Sequence, residues 1–487
     1  MSAEPKAPSG SQKKNPNAWM EYAAILAKAG YTKQVQIALG KALPLVPAAM
    51  RSQFHCQSGR IYRLSWQLDH ALASFSKALK DPQHKVHALT GLAECYERRS
   101  QLDKAAELLE GIPTQPDGSL VHARILRRLG RVEEAEKLLG TIPAQGPRIP
   151  ESLTARVWHE RYLLADQSGD YPLAWSHLEQ CKQTIRQSWQ GPQLAAMLTQ
   201  RRHAMAVMLA TLQQLQPETV ERWISENAAL GQPPHGFILG LPRSGTTLVE
   251  KLLSQQADIV TTDERDTLAR TVFEPLSTRI TTTADPQADA AHFLSTLDSL
   301  SPAFIKSGTK HYYQELDKQL PQKTAGRPVL DKNPGYSESA LLIARLCPGA
   351  RIIYPQRDPR AVFSSIWALF PEQPSEISIF WLQQDTLAEW MNHTRQVWQH
   401  LRRLLPASLW TEVHYEDLVT RPQEEATRLS TFLGLPSNKP AKASPQIERS
   451  PSYAEISQAP HQHSIEKWKH YATQLAPGLE RLAEGEG

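Results

Sequence analysis

The sequence predicts a multidomain protein of the α plus α/β class, with an N-terminal α-helical repeat region followed by an α/β domain on a parallel sheet. Helical segments with a recurring alanine occupy the N-terminal half, at spacings of 34, 30 and 39 residues. In the C-terminal half, short apolar runs alternate with helical stretches, an order that favours a parallel sheet covered on both faces. A length of 487 residues fits about two to three domains.

The composition is that of an ordinary soluble globular protein, with 40% hydrophobic and 21% charged residues. A net charge of +4 is too small to favour nucleic acid as a partner. The cysteines Cys56, Cys95, Cys181 and Cys347 lie far apart without metal-type spacing, which is typical of a reduced cytoplasmic protein. Residues 1–17 have no apolar core, so we expect a disordered tail rather than a signal peptide. No apolar run reaches the ~18 residues that a membrane span needs.

Self-similar helix pairs account for the N-terminal half. Each copy has a large apolar residue followed three positions later by an alanine, which lets two helices approach closely. The copies begin at Leu68, Leu102, Val132 and Tyr171, with alanines at Ala71, Ala105, Ala135 and Ala174, and a fainter copy begins at Tyr31. The pattern resembles the tetratricopeptide repeat (TPR), which implies a solenoid over residues 18–190 with a concave surface for a protein partner. A generic helical domain with alanine-rich packing is the alternative.

Residues 191–233 continue as helix and are expected to link the repeats to a second domain over residues 234–480. The predicted strands of that domain are Gly236–Leu239, Arg327–Leu330, Arg351–Tyr354 and Leu409–Val413. The predicted helices include Thr247–Gln255, Ser337–Leu346 and Ala361–Phe370. Ligands of such sheets bind beyond the carboxyl ends of the strands, and the candidate site residues all follow those ends.

The first candidate is the loop Gly240–Thr247, GLPRSGTT, directly after an apolar strand. It has the frame of a phosphate-binding loop, Gly-x-x-x-x-Gly followed by two hydroxyl residues. Thr246 stands where a triphosphate-binding loop has its lysine, and an arginine, Arg243, lies inside the loop. Backbone N–H groups and a helix N-terminus can still bind an anion there. The loop therefore predicts a nucleotide with fewer phosphates and a different transferable group.

Three further constellations contain the other candidate site residues. Arg357, with Ser365 at the next helix, predicts a second phosphate site, since arginine offers a bidentate fork; a solvated charged loop is the alternative. Lys332 follows another strand, where taken alone a surface lysine is the simpler interpretation. Glu264 is a candidate general base, although by itself it would be read as part of an acidic turn.

Together these motifs resemble the sulfotransferase superfamily, and more specifically its protein-tyrosine sulfotransferase branch. The resemblance implies a P-loop-like α/β fold and the donor 3′-phosphoadenosine 5′-phosphosulfate (PAPS), without a metal. It assigns the 5′-phosphosulfate to Arg243, Ser244, Gly245, Thr246 and Thr247. It assigns the 3′-phosphate to Arg357 and Ser365, and it places Tyr415 near the nucleotide, Lys467 over the phosphates and Ser452 at the transition state.

The mechanism that the resemblance implies is in-line displacement. Glu264 would take the proton of an acceptor hydroxyl, and Arg243, Lys332 and Ser452 would meet the charge on the leaving oxygen. The acceptor hydroxyl could belong to a tyrosine of a protein or peptide, and a glycan or small molecule stays open. The tyrosine-specific branch binds acidic flanking residues with two arginines; Arg270 matches one of them, but Asp266 replaces the other.

Two other functions remain open at this point. A P-loop kinase would need a lysine at position 246, where the chain has Thr246. A non-catalytic TPR scaffold would carry a degenerate sulfotransferase-like domain, against which the presence of Arg243, Glu264, Lys332 and Arg357 argues.

Overall fold

The computed structural model describes residues 6–112, 115–143, 150–227, 235–277, 283–320, 322–347, 349–435 and 463–484. The chain divides into two compact units, residues 2–189 and 190–487. No described helix is both long and apolar enough to cross a membrane.

The first unit consists of paired helices. Their bounds are α1 Pro16–Lys28, α2 Thr32–Ala42, α3 Arg51–Leu64, α4 Leu68–Ala78, α5 Lys85–Arg98, α6 Leu102–Glu107, α7 Pro116–Arg128, α8 Val132–Gly140, α9 Glu151–Gln167 and α10 Tyr171–Ser188. The recurring alanines are all fully buried, as close helix packing requires. The helical N-terminal region is thereby confirmed, and its likeness to the TPR solenoid stays a prediction.

Order begins earlier than the expected tail boundary at residue 17. Residues Gly10–Lys14 form a 3₁₀ helix, and α1 starts at Pro16 with the side chain of Asn15 as its N-cap. The indole N–H of Trp19 donates to the carbonyl of Lys13 at 3.0 Å. This contact ties the segment to α1, and the extent of the expected disordered tail stays a prediction.

The expected linker belongs to the second unit. It forms α11 Pro192–Gln214 and α12 Pro217–Asn227, whose apolar side chains, Trp223 among them, lie in the same core as sheet residues such as Phe237. The other described α-helices of the second unit are α13 Thr246–Gln256, α14 Glu274–Ser277, α15 Pro286–Asp298, α16 Pro302–Gln319, α17 Ala340–Leu346, α18 Pro359–Trp367, α19 Gln384–Leu404, α20 Tyr415–Thr420, α21 Pro422–Leu433, α22 His463–Glu466 and α23 Ala472–Glu484.

A five-stranded parallel sheet organises this unit. The strands are β1 His235–Ile238, β2 Val260–Thr261, β3 Val329–Lys332, β4 Arg351–Gln356 and β5 Trp410–His414, in the order β2-β3-β1-β4-β5. The predicted parallel sheet is confirmed, and β2, only two residues long, is an addition to it. Successive residues of β1, Phe237 and Ile238, enter different apolar clusters, so both faces of the sheet are covered.

The strand order fixes where a ligand can bind. From β1 the chain continues to β2 and β3, which lie on one side of it in the sheet. From β4 the chain continues to β5, which lies on the other side. The connections therefore diverge at the carboxyl ends of the neighbouring strands β1 and β4. Such a divergence opens the crevice in which open α/β sheets bind ligands. The loop after β1 and the segment after β4 flank this crevice.

Candidate functional site

The loop between β1 and α13 has a backbone that few residues can adopt. Gly240 and Gly245 have φ angles of +111° and +108°, and a Cβ on Gly240 would lie 3.1 Å from the carbonyl oxygen of Pro355. Arg243 has a φ of +70°, which is uncommon for a residue with a side chain. Strained backbone of this kind clusters at ligand-binding sites. The loop leads directly into the N-terminus of α13, where a helix binds anions.

Ser337 holds the start of this loop in place. Its hydroxyl accepts a hydrogen bond from the Gly240 N–H at 2.7 Å and donates one to the Gly240 carbonyl at 2.8 Å. Ser244 adds a bond from its own hydroxyl to the carbonyl of Leu241 at 2.7 Å. The loop shape is therefore fixed by the protein itself. Sequence reasoning missed Ser337, because the segment read only as the start of a helix.

The two predicted phosphate motifs meet at Arg243. The Nε of Arg243 donates to the hydroxyl of Ser365 at 2.8 Å. The backbone carbonyl of Arg243 accepts a hydrogen bond from Nη1 of Arg357 at 3.0 Å. The guanidinium of Arg357 lies over the ring of Tyr415, with 4.3 Å between Cζ and the ring centroid. A Cβ on Gly245 would come within 2.9 Å of the same ring. Residues predicted separately from three segments thus lie in one cluster.

A buried ion pair lies at the carboxyl end of β3. Nζ of Lys332, the last residue of the strand, is 2.6 Å from Oε1 of Glu264, and the Lys332 side chain is 0% exposed. The Glu264 N–H donates to the Lys332 carbonyl at 2.9 Å, which holds the segment after β2 against β3. Glu264 and Asp263 both have positive φ angles, of +58° and +50°. The Glu264 side chain remains 31% exposed, so it is accessible from solvent.

Two further carboxylates surround the same ammonium. Oε2 of Glu250, on α13, is 3.4 Å from Nζ of Lys332, and Oδ1 of Asp263 is 3.9 Å away. Burial lowers the pKa of Lys332, but the carboxylates of Glu250, Glu264 and Asp263 outweigh it and raise the pKa above its usual range. Burial also raises the pKa of Glu250 to about 7, although Lys332 acts in the opposite direction.

Sequence reasoning missed Glu250. The available signal was a single acidic residue among the apolar positions of α13, next to Val249 and close to Leu252. A charge on the buried face of a helix needs a partner, and here the partner is Lys332.

The end of β3 is braced by a second buried carboxylate, Asp331. It accepts hydrogen bonds from the hydroxyls of Thr262 and Tyr312, both at 2.6 Å. Burial raises the pKa of Asp331 to about 6, although these two bonds act to lower it. The network fixes the backbone from which Lys332 projects.

The positions that would flank an acceptor carry mixed charge. Asp266 is exposed, and its Oδ1 accepts a bond of 3.4 Å from the amide of Asn333. Arg270 donates through Nε to the backbone carbonyl of Asp266 at 3.4 Å. A carboxylate therefore stands at one of the two flanking positions and a guanidinium at the other.

Two more residues, Ser452 and Lys467, were predicted for this site. Ser452 falls outside the described residues. Lys467 is exposed at the start of a 3₁₀ helix, Lys467–Tyr471. The ring of its neighbour Trp468 lies 4.3 Å from the guanidinium carbon of Arg360 on α18, which brings this segment to the helix that carries Ser365. Among the described residues, no group of three His, Cys, Asp or Glu side chains could hold a metal ion.

Residues 234–439 match the model of the sulfotransferase family. The chain is 26% identical over 204 residues to protein-tyrosine sulfotransferase 1 of Danio rerio, covering 42% of this chain and 53% of that protein. It is 31% identical over 221 residues to the nodulation protein NoeE of Sinorhizobium fredii, covering 41% and 49%. An uncharacterized protein of Aquifex aeolicus is 24% identical over 414 residues, covering 83% and 50%. The chain spans about half the length of the curated relatives it matches.

Solved structures with similarity include the sulfotransferase domain of the Synechococcus PCC 7002 olefin synthase. That match has a TM-score of 0.34 at 19% identity and covers 51% of this chain and 95% of that one. Sulfotransferase STF9 of Mycobacterium avium matches with a TM-score of 0.30 at 15% identity, covering 80% and 95%. The family match over residues 234–439 and the similarity to tyrosine sulfotransferases confirm the resemblance to the sulfotransferase family that the motifs indicate.

Proposed function

We propose that this protein transfers a sulfuryl group from PAPS to an acceptor hydroxyl. The observation that carries the proposal is the meeting of the two phosphate motifs at Arg243, which bonds to Ser365 through its side chain and to Arg357 through its carbonyl. A nucleotide with one phosphate group at each end of its ribose needs two anion sites, and the two adjoining motifs would supply them. A triphosphate needs instead a lysine in the loop, where the chain has Thr246.

The residues present fit the donor. Gly240 and Gly245 supply the left-handed backbone that shapes the loop, and the N-terminus of α13 supports negative charge. In this proposal Arg243 to Thr247 hold the 5′-phosphosulfate, Arg357 and Ser365 hold the 3′-phosphate, and the Tyr415 ring lies beside the nucleotide. Lys467 would close over the phosphates from the 3₁₀ helix next to α18. The donor supplies the sulfuryl group and a phosphate leaving group.

Glu264 and Lys332 are proposed to have separate roles, one in accepting a proton and the other in stabilising negative charge. Glu264 accepts the proton of the acceptor hydroxyl, since its carboxylate is partly exposed at the end of β2. Lys332 stabilises charge on the leaving oxygen, since its raised pKa keeps the ammonium protonated. The 2.6 Å ion pair between the two holds the base in place before the acceptor arrives. Arg243 and, by the family pattern, Ser452 would add to the stabilisation of the leaving group.

The acceptor is proposed to be a hydroxyl compound such as a tyrosine in a protein or peptide. The exposed carboxylate of Asp266 argues against acidic residues beside that hydroxyl, because like charges repel across a binding surface. The helical N-terminal unit is proposed to bind a protein partner, as TPR-like arrays do. A cytoplasmic location stays a prediction from the isolated cysteines.

The test of the proposed function is nucleotide binding followed by transfer. Adenosine 3′,5′-bisphosphate should raise the melting temperature without magnesium and more than ADP does, since ADP lacks the 3′-phosphate. Glu264→Ala should keep this binding and lose the transfer of labelled sulfate into a lysate of the parent cell. Stabilisation by Mg-ATP alone would contradict the proposal, and undiminished transfer by Glu264→Ala would remove Glu264 from the mechanism.

A further inference from the structure

Lys332 faces a second buried carboxylate that the proposed reaction does not use. Glu250 lies four residues after Thr246, so it is one helical turn below the anion-binding loop on the same face of α13. Its side chain is 7% exposed, and its Oε2 is 3.4 Å from the Lys332 ammonium. Its other oxygen, Oε1, is buried and accepts no hydrogen bond from any described residue. A half-satisfied buried carboxylate destabilises a fold, so packing alone does not explain this residue.

The proposed reaction removes the closest negative charge from Lys332. Glu264, at 2.6 Å, becomes neutral when it takes the acceptor proton. Among the described residues, the charged groups that face Glu250 are Lys332 from β3 and Asp263 and Glu264 from the segment after β2. Once Glu264 is protonated, only Glu250 and Asp263 remain to balance the ammonium.

Glu250 is the stronger of these two anions. It is closer to Nζ than Asp263 is, at 3.4 Å against 3.9 Å. Asp263 is also 24% exposed, so water screens its charge, whereas Glu250 acts through the protein interior. Glu250 belongs to α13, whereas Asp263 and Glu264 both lie in the segment after β2.

We propose that Glu250 is a positioning residue that keeps Lys332 protonated and held beneath the phosphate loop after Glu264 has taken the acceptor proton. An ammonium has three N–H donors. One points to Glu264 and one faces Glu250, which leaves the third for the leaving oxygen of the donor. The role of Glu250 in catalysis rests on the proposed function, but its effect on Lys332 does not require turnover.

The ionisation of Lys332 gives a direct test. The full-length protein, labelled with ¹³C-lysine, is titrated by NMR, with the Lys332 signal assigned from its loss in Lys332→Arg. Glu250→Gln should lower the Lys332 pKa by about one unit or more, and the drop should be larger in a Glu264→Gln background that mimics the protonated base. The matched control is Glu315→Gln, which neutralises another buried carboxylate on α16. A Lys332 pKa unmoved by Glu250→Gln, or moved equally by Glu315→Gln, would overturn the proposal.

Kinetics separate positioning from a general loss of structure. With N-acetyltyrosinamide as probe acceptor, Glu250→Gln should lower kcat roughly tenfold or more, while the Kd for adenosine 3′,5′-bisphosphate stays within about twofold. The alkaline limb of the rate profile should move to lower pH, because Lys332 deprotonates earlier. Glu250→Asp keeps the charge and should recover part of the rate. A protein that binds no bisphosphate contradicts the proposed function, whereas a normal rate profile in Glu250→Gln contradicts only the role of Glu250.

Discussion

The guanidinium of Arg243 donates a hydrogen bond to the hydroxyl of Ser365 at 2.8 Å. This bond joins the loop after β1 to the helix after β4, across the crevice where the connections of the sheet diverge. The two proposed anion sites are therefore not independent. A change in Ser365 removes one hydrogen-bond partner of Arg243, and a change in Arg243 removes this partner of the serine.

Ser365→Ala should consequently weaken binding of adenosine 3′,5′-bisphosphate by roughly tenfold, through loss of a charge-assisted hydrogen bond. The variant should also weaken binding of a nucleotide that lacks the 3′-phosphate, since the Arg243 side chain loses its hydrogen bond to Ser365. Calorimetric titration with the bisphosphate and with adenosine 5′-phosphosulfate measures both effects. The adjacent Ser364→Ala is the control, and equal effects of the two substitutions would contradict the coupling.

Gly245→Ala should abolish nucleotide binding with only a modest loss of stability. The left-handed φ of +108° strains any side chain, and the added Cβ would lie 2.9 Å from the Tyr415 ring. Gly349→Ala is a matched control, because its φ is +76° but its Cβ would meet nothing within 4 Å. Both variants should lose about 1 kcal/mol of stability to backbone strain. If Gly349→Ala weakened binding as much, displacement of Tyr415 would not be the cause.

The sequence predicted the parts of this fold that are local. The strands after residue 234, the loop and the helix that follows it are encoded by runs of adjacent residues, and the structure places β1, β3, β4 and β5 within a few residues of expectation. The helix expected from Ala361 starts instead at Pro359, because the Asp358 side chain accepts a bond from the Arg360 N–H and caps it. The short β2 has too few residues to give an alternating pattern.

The missed site residues depend on contacts between distant segments. Ser337 binds Gly240, and Glu250 binds Lys332, and in each pair the two residues are far apart in the sequence. Neither residue belongs to a motif, since each lies in a helical stretch whose sequence pattern marks no site. Only the parallel pairing of β1 with β3 brings these partners together.

The stability of the N-terminal unit should depend on pH through Glu97. Its carboxylate is 1% exposed and bonds to Arg124 at 2.7 Å and Arg128 at 3.0 Å. Burial alone would raise the pKa of Glu97, but the two arginines outweigh it and lower the pKa to about 2. A folded-state pKa below the unfolded value stabilises the protein above about pH 4.5, and that contribution is lost as the pH falls towards 2.

Glu97→Gln should therefore destabilise this unit by about 3 kcal/mol at pH 7, with a difference from wild type that shrinks as the pH falls below 4.5. Hydrogen exchange of the backbone amides in α5 and α7 measures the stability of the N-terminal unit separately from that of the second unit. Glu134→Gln is the control, since it removes an exposed carboxylate that pairs with Arg131. A constant difference between wild type and Glu97→Gln from pH 7 to pH 3 would contradict the assignment.

Asp266→Arg should change which acceptors are used. The exposed carboxylate of Asp266 stands where the tyrosine-specific relatives are expected to carry an arginine, and the Arg270 side chain already lies beside it. Reversing the charge should favour acidic neighbours of the acceptor hydroxyl, because attraction to them replaces repulsion. We expect the ratio of kcat/KM for a Glu-Tyr-Glu peptide over a Lys-Tyr-Lys peptide to rise roughly tenfold, with kcat for a Gly-Tyr-Gly peptide little changed. Glu424→Arg, an equal charge reversal at an exposed position of α21, should leave that ratio unchanged. The same rise in both variants would show that the net charge of the surface, rather than Asp266, selects the acceptor.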